Sequence, residues 1–521
     1  MKRRIVVFLA LAVVTVGFCF SGIVHAKYEY TDKTFVAAMT ASPHSLDEGY
    51  STDAHTRQYS SFVFETLFTF DDAFEVIPQL AADYSVSEDM LTYSIVLREG
   101  IRFHNGSVFD ARDVVASIER YKNTITYGGS LDAVKNIEII NDYEVKISLS
   151  EPIALLPALA YPQRVLMLPY EIAKRTVESE LRTSDMIGTG PYKLKEWIPD
   201  VQIILERFGD YVPDERFETS TGFGGKRIPY FKYIKIIPVP EAESRMAGLE
   251  TGEFDYAEAI PATSYSRITN NPGLTASIVC PKWGISLEIN HSKWPTNDVN
   301  FRKALVYALD MEKVLRAVTS NNDEFYRLSP SVYQEEQYYF TTAGSQEIYN
   351  CRDLQKVSEF LDLAGYKGEE IVVLTNKDFD WMYKSSISLA QQWQEAGINV
   401  KLEFSDWSSQ IAKANSLEGW HLNQTGFSAR LDPTQLRSHL ATGAVTTYSY
   451  SNSQMDKLLN EIGIGNPSEI RYEIWEQIQA LVWEELPFIK IGDYHEMEAI
   501  ASKYEGYESF FLPRFWNVME R

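Results

Sequence analysis

Cysteine is nearly missing from this chain: three occur in 521 residues, and one of them, Cys19, lies in the N-terminal stretch. The other two, Cys280 and Cys351, are too few for a disulfide scaffold and lack the paired spacing of a zinc site. In an oxidising compartment they could form one bridge; otherwise they are two small, buried thiols. Histidine is scarce as well. Its eight positions (25, 44, 55, 104, 291, 421, 439, 495) never form His-x-His or His-Glu-x-x-His, which argues against a helix-borne metal centre. There is no Gly-x-Ser-x-Gly elbow, no Gly-x-x-x-x-Gly-Lys phosphate loop and no Gly-x-Gly-x-x-Gly turn, so the local signatures of acyl transfer, nucleotide hydrolysis and dinucleotide binding are missing. Runs of Lys and Arg are absent too. With 49 basic against 72 acidic residues and a net charge of −23, the chain would be repelled by nucleic acid or an anionic membrane surface. Beyond the first 26 residues no apolar run approaches the ~20 residues that cross a bilayer.

What is present is the material of a large core. The chain is 45% apolar and carries 10 Trp, 31 Tyr and 27 Phe, a composition that excludes disorder, and its length predicts roughly three to four domain-sized units. Residues 1–26 read as an export signal rather than as fold: Lys2, Arg3 and Arg4 are followed by an apolar run from Ile5 to Val16 and by Val24-His25-Ala26 at the cleavage position. Phe18 before Cys19 does not fit a lipid-attachment site. Removing three basic and no acidic residues deepens the charge from −23 to −26. The expected product starts at Lys27 and works outside the cytoplasm, in the periplasm.

Strand-like and helix-like segments alternate along the rest, the pattern of α/β architecture. Strands are expected at Thr34–Met39, Thr92–Leu97, Tyr143–Leu149, Ile234–Pro238 and Ile285–Asn290. Helices are expected at Thr56–Thr66, Asp110–Tyr121, Glu241–Thr251, Val299–Ala317, Leu354–Ala364 and Ser468–Glu485. Glu370–Phe404 reads as a compact βαβ unit whose helix stops at Gly397. Recognition is better signalled than catalysis. Trp283, Trp381, Trp407 and Phe427 each fall at a strand or helix edge beside Gly or polar residues, where α/β sheets bind ligands and where flat side chains sandwich them. A pair of catalytic carboxylates needs no local spacing, so a secreted hydrolase remains the rival reading. Among 72 acidic residues, however, solvated surface charge accounts for any pair one could choose.

Several segments together resemble the peptide- and nickel-type solute-binding proteins of ABC importers (family 5). They are Ser45-Leu46-Asp47, Pro78–Asp83, Leu97–Gly106, Asp110–Tyr121, Gly188-Thr189-Gly190-Pro191-Tyr192, Glu206–Tyr211, Leu249–Asp255, and Phe301–Leu305 with Asp310. The resemblance spans the whole chain after the signal. It implies a two-lobed clamshell of the type II periplasmic-binding class, with an extra subdomain inserted in the first lobe. Lobe I is expected from 27–56, 188–275 and 490–521, the inserted subdomain from 57–187, and lobe II from 276–489. The implied function is capture of a small or medium organic solute, closure around it, and delivery to a permease in the inner membrane. Closure would be a population shift driven by contacts that the ligand makes with both lobes only when they are shut. No cofactor and no chemistry on the ligand are implied, and the protein is expected to be a monomer. A sensor that presents its ligand to a receptor would share this sequence pattern.

The resemblance also suggests site residues. Tyr50 follows the first strand, where the family lines its cleft, and Trp407 falls at an aromatic pocket wall. Tyr161-Pro-Gln163-Arg164 precedes the strand from which related metal-complex binders clasp their ligand with Arg. Gly426-Phe427-Ser-Ala-Arg430-Leu-Asp432-Pro433 resembles the segment whose Asp holds a peptide's α-ammonium, with Arg430 in that place here. A guanidinium repels an ammonium in a poorly solvated cleft and is suited to a bidentate grip on carboxylate or phosphate. The expectation is therefore an anionic or hydroxyl-rich solute stacked on Trp407 and Phe427. Asp432 would have to swing in to accept an ordinary peptide. Alternatively, Arg430 points to solvent or pairs with Asp432.

Overall fold

The computed structural model describes residues 28–51, 53–127, 129–160, 165–465 and 467–521. The expected export signal and Tyr161, Gln163 and Arg164 lie outside the described residues. One sheet of eleven strands organises the chain. At its middle run two long antiparallel strands, Leu274–Ile289 and Phe488–Ala501. Their pairing is broken by register shifts between Val279 and Trp283 and again between Ile285 and Ser286. Such irregularities bend a strand and increase its twist, and here they divide the sheet into two halves.

In the first half, Thr34–Met39 pairs in parallel with both Tyr233–Pro238 and Tyr256–Ile260. In the second half, Ile371–Asn376 pairs in parallel with Val400–Ser405 and Leu422–Ser428. Parallel strands are buried on both faces and need helical crossovers, and the sequence supplies them. Asp380–Glu395 connects Ile371–Asn376 to Val400–Ser405, as the βαβ reading of 370–404 required. A separate antiparallel sheet, ordered Ala81–Val86, Thr92–Leu97, Glu144–Leu149 and Val134–Asn141, packs with the helix Ala111–Tyr121. That helix begins with a capping box between Asp110 and Asp113, which satisfies two of the N–H groups a helix start leaves open.

Two expectations are corrected. Val299–Ala317 is two helices, Val299–Tyr307 and Met311–Val318, because the Asp310 side chain accepts the Lys313 N–H and starts a new helix there. Ile285–Asn290 is only the end of the sixteen-residue strand Leu274–Ile289. The two cysteines are free thiols, and burial pushes the Cys280 thiol well up from its ordinary value.

The segments that carried the family resemblance meet one another as structural ties. Asp47 is buried and holds the Arg120 guanidinium, while its carboxylate also accepts the Gly49 and Leu181 N–H groups, both at 2.9 Å. Asp255 accepts the Val36 N–H at 3.0 Å and the Tyr504 hydroxyl at 2.7 Å, tying the C-terminal segment to the first strand. His104 accepts the Gly188 N–H on Nδ1 at 3.3 Å and donates from Nε2 to the Gly190 carbonyl at 3.0 Å. That bonding needs a neutral ring, and burial does push its pKa down to about 4. The glycines are required by crowding: a Cβ on Gly188 would stand 2.0 Å from the Val63 carbonyl oxygen, and one on Gly190 would stand 2.5 Å from that of Phe62.

Away from the two long strands the halves also touch. The Ala154 N–H donates to the Gly463 carbonyl at 2.8 Å, and the Tyr338 N–H to the Ala73 carbonyl at 2.9 Å. Leu431, from the turn after Leu422–Ser428, is 2% exposed and belongs to the apolar cluster of Phe35, Tyr59 and Phe511 in the opposite half.

Candidate ligand-binding site

A cavity of about 590 Å³ lies where the two halves face each other beside the break in the long strands. Its position follows from topology, since open parallel sheets bind ligands beyond the carboxyl ends of their strands. In the first half those ends supply Thr40 after Thr34–Met39, and Glu258 and Ala259 from Tyr256–Ile260. Ala259 sits at φ 45°, a left-handed conformation that non-glycine residues rarely adopt and that marks functional turns. In the second half they supply Phe379 after Ile371–Asn376, and Ala429, Arg430 and Leu431 after Leu422–Ser428. The long strands themselves contribute Lys282, Trp283 and Glu496.

The helix Ala54–Val63 brings two more charged groups. Asp53 caps it by accepting the His55 N–H, so His55 and Arg57 fall in its first turn and line the cavity. The Arg57 Nε is buried with no hydrogen-bond partner.

The wall carries more cation than anion. Lys282 stands 3.4 Å from Glu496 Oε2 and donates to the Phe511 carbonyl at 3.1 Å. Burial opposes the Lys282 charge, but Glu496, Glu258 and Glu498 outweigh it and hold the pKa above the usual lysine value. Glu258 accepts both the N–H and the hydroxyl of Thr40, each at 2.9 Å. Burial would raise its pKa, yet Lys282, those bonds and His55 keep it below the ordinary carboxylate value. Glu496 accepts the Trp283 indole N–H at 2.9 Å. Both carboxylates therefore already have partners inside the protein, whereas Arg57 still has donors to give.

The residues singled out from the sequence end in different places. Trp283 and Arg430 line the cavity. Arg430 lies 5.6 Å from the centre of the Phe427 ring and 3.5 Å from His439 Nε2; His439 is held neutral, near pKa 3, by burial and by the Arg430 charge. Trp407 stands edge-on to the cavity-lining Phe379 at 5.6 Å, one layer behind the wall. Trp381 packs its ring tip against Gly426, where a Cβ would come within 3.0 Å of it. Phe427 is in the core, between His439 and Phe488 at 5.1 and 5.0 Å. Tyr50 lies beneath the Arg120 guanidinium at 5.8 Å. Asp432 is paired bidentately with Arg471 at 2.7 and 2.8 Å and also accepts the Thr434 N–H at 2.9 Å. It faces a second cavity of about 440 Å³, and its partner is Arg471 rather than Arg430.

Thr40, His55, Arg57, Glu258, Lys282, Phe379 and Glu496 carried no motif. The one available signal was Asp53, a capping residue two positions before His55 and four before Arg57. The helix expected at Thr56–Thr66 runs instead from Ala54 to Val63, so its first turn holds His55, which the expected span excludes, as well as Arg57.

The family model described as "Bacterial extracellular solute-binding proteins, family 5 Middle" matches residues 75–446. The chain belongs to that family. This family 5 protein is 26% identical over 491 residues to a protein of Sinorhizobium fredii named a probable peptide ABC transporter periplasmic-binding protein, covering 91% of each chain. It is 25% identical to the glutathione-binding protein of Salmonella paratyphi A, over 88% of each. Its fold matches the solved structure of the periplasmic binding protein AgaA of A. tumefaciens R10 in complex with agropinic acid, with a TM-score of 0.74 at 20% identity, covering 94% of this chain and 99% of that one. The fold is thus the two-lobed type II clamshell, with the four-stranded sheet separate from the eleven-stranded one. The family 5 protein is a solute-binding component of an ABC importer rather than an enzyme. Among the described residues no helix is long and apolar enough to cross a membrane.

Proposed function

We propose that this protein captures a small organic anion in the cavity between its lobes and delivers it to an inner-membrane permease after export to the periplasm, working as a monomer. The lobes are drawn as 27–56, 188–275 and 490–521 for the first, 57–187 for its inserted subdomain, and 276–489 for the second. The observation that carries the anion is Arg57, whose guanidinium lines the cavity with a buried, unpartnered Nε, opposite Arg430 on the other lobe. A buried donor without a partner is costly, and a carboxylate or phosphate is the bidentate acceptor that fits guanidinium geometry. Trp283 and Phe379 supply apolar wall for the organic part. A relative named as glutathione-binding and a solved neighbour in complex with agropinic acid are consistent with a ligand that carries carboxylate.

On this reading closure and binding are one event. Arg57 and Arg430 come from opposite lobes, so an anion gripped by both favours the shut state through contacts absent from the open one. A screen of carboxylates, phosphates, amines and neutral sugars by thermal stabilisation tests the reading. Acids are expected to raise the Tm and to lose that effect in Arg57→Ala. Stabilisation by amines or neutral sugars alone would overturn it.

A further inference from the structure

A chain of hydrogen bonds runs along the first-lobe wall of the cavity. Asp53 Oδ1 lies 2.9 Å from His55 Nδ1, and His55 Nε2 lies 2.9 Å from Thr40 Oγ1. Thr40 Oγ1 in turn lies 2.9 Å from Glu258 Oε2. The protons along this chain can be counted, because an ionised carboxylate only accepts and a hydroxyl has a single proton to give. Asp53 therefore requires a proton on Nδ1. Glu258 takes the one proton of Thr40, which leaves the Thr40 oxygen as an acceptor and requires a proton on Nε2. A neutral ring protonated on Nδ1 would turn the Thr40 hydroxyl toward Nε2. The Thr40 and Glu258 oxygens would then face each other at 2.9 Å with no proton between them.

Groups from every neighbouring element bear on this ring. Asp53 and Arg57 lie on its own helix and cap, with His44 near Asp53. Glu258 comes from the strand Tyr256–Ile260, Lys282 from the crossing strand, and Glu496 and Arg430 line the same cavity. Burial and Lys282 disfavour charge on the ring; the Asp53 bond and the Glu258 charge outweigh them, and His55 titrates above its ordinary value.

We propose that His55 is a positioning residue that carries both ring protons in the working protein, a fixed imidazolium in the wall that Arg57 also lines, where it strengthens the cavity's hold on an anion. The consequence for ligand rests on the anion reading above; the protonation does not.

The test is a ¹⁵N titration of the histidine rings in the full exported chain after unfolding, dialysis and refolding to strip retained solute, with His55 assigned by the signal lost in His55→Gln. At pH 6.5, where an unperturbed imidazole is about half protonated, more than half of His55 is expected to carry two ring protons. Thr40→Val, which removes the bridging hydroxyl, and Glu258→Gln, which removes the charge while keeping the shape, should each lower its midpoint. A ring half protonated or less at pH 6.5, or a midpoint unmoved in both variants, would overturn the proposal. Because no solute is present, a failed anion screen leaves this result standing, and a neutral His55 leaves the anion reading resting on Arg57.

Discussion

Two cavities flank the turn 429–432, and they differ in what their walls have left to offer. The one of about 440 Å³ is lined by aromatic side chains, by the acid Glu75 and by the Asp432–Arg471 pair, whose charges satisfy each other. The one of about 590 Å³ is lined by Arg57, Lys282 and Arg430 against two carboxylates that already accept hydrogen bonds within the protein. Volume alone would not separate them. Cationic donors left to give do, and three consecutive residues show it: Arg430 faces the larger cavity, Leu431 enters the core of the opposite lobe, and Asp432 is spent on Arg471.

Removing one partner of the buried pair should have the largest effect. Asp432→Ala leaves Arg471 uncompensated and is expected to cost about 3–5 kcal/mol of stability, read as a lower denaturation midpoint whether or not ligand is present. A loss of affinity with unchanged stability would mean that Asp432 belongs to the ligand instead. Leu431→Ala should come next. Large-to-small changes at such sites cost about 2–5 kcal/mol, and here the cost falls on the closed state, so small-angle scattering should show a more open average form. Arg57→Ala should leave the denaturation midpoint of the ligand-free protein nearly unchanged and weaken anion binding more than tenfold, about 1.4 kcal/mol or more; Arg430→Ala should do the same from the other lobe.

The pH effect is the smallest. His55 has a raised pKa, so its positive charge is complete below the ordinary histidine value and is lost as pH rises through the folded-state value. Anion affinity should therefore fall by a few-fold across that window in the wild type, while His55→Gln should show a flat profile in calorimetric titrations.

The contrast also explains what could be read from the sequence. Thr34–Met39, Leu354–Ala364 and the βαβ unit were legible because periodicity and capping are local. The family segments were legible because ties such as Asp47 with Arg120, or His104 with Gly188 and Gly190, hold the scaffold and need fixed residue types. The cavity wall obeys no such rule. Arg57, Glu258 and Lys282 need only reach one space from three separate chain turns, and nothing in the spacing of 57, 258 and 282 records that. Phe427 shows the opposite limit: an aromatic at a strand edge looks the same in sequence whether it faces a cleft or the core. Arg430 was noticeable because a cation stood where the resembling segment has an acid.

The most direct measurement is native mass spectrometry of the gently purified protein beside its Arg57→Ala variant. The account predicts a retained small molecule, acidic when released and identified, on the wild type and depleted on the variant. A retained solute without an acidic group, or equal retention by both proteins, would contradict it.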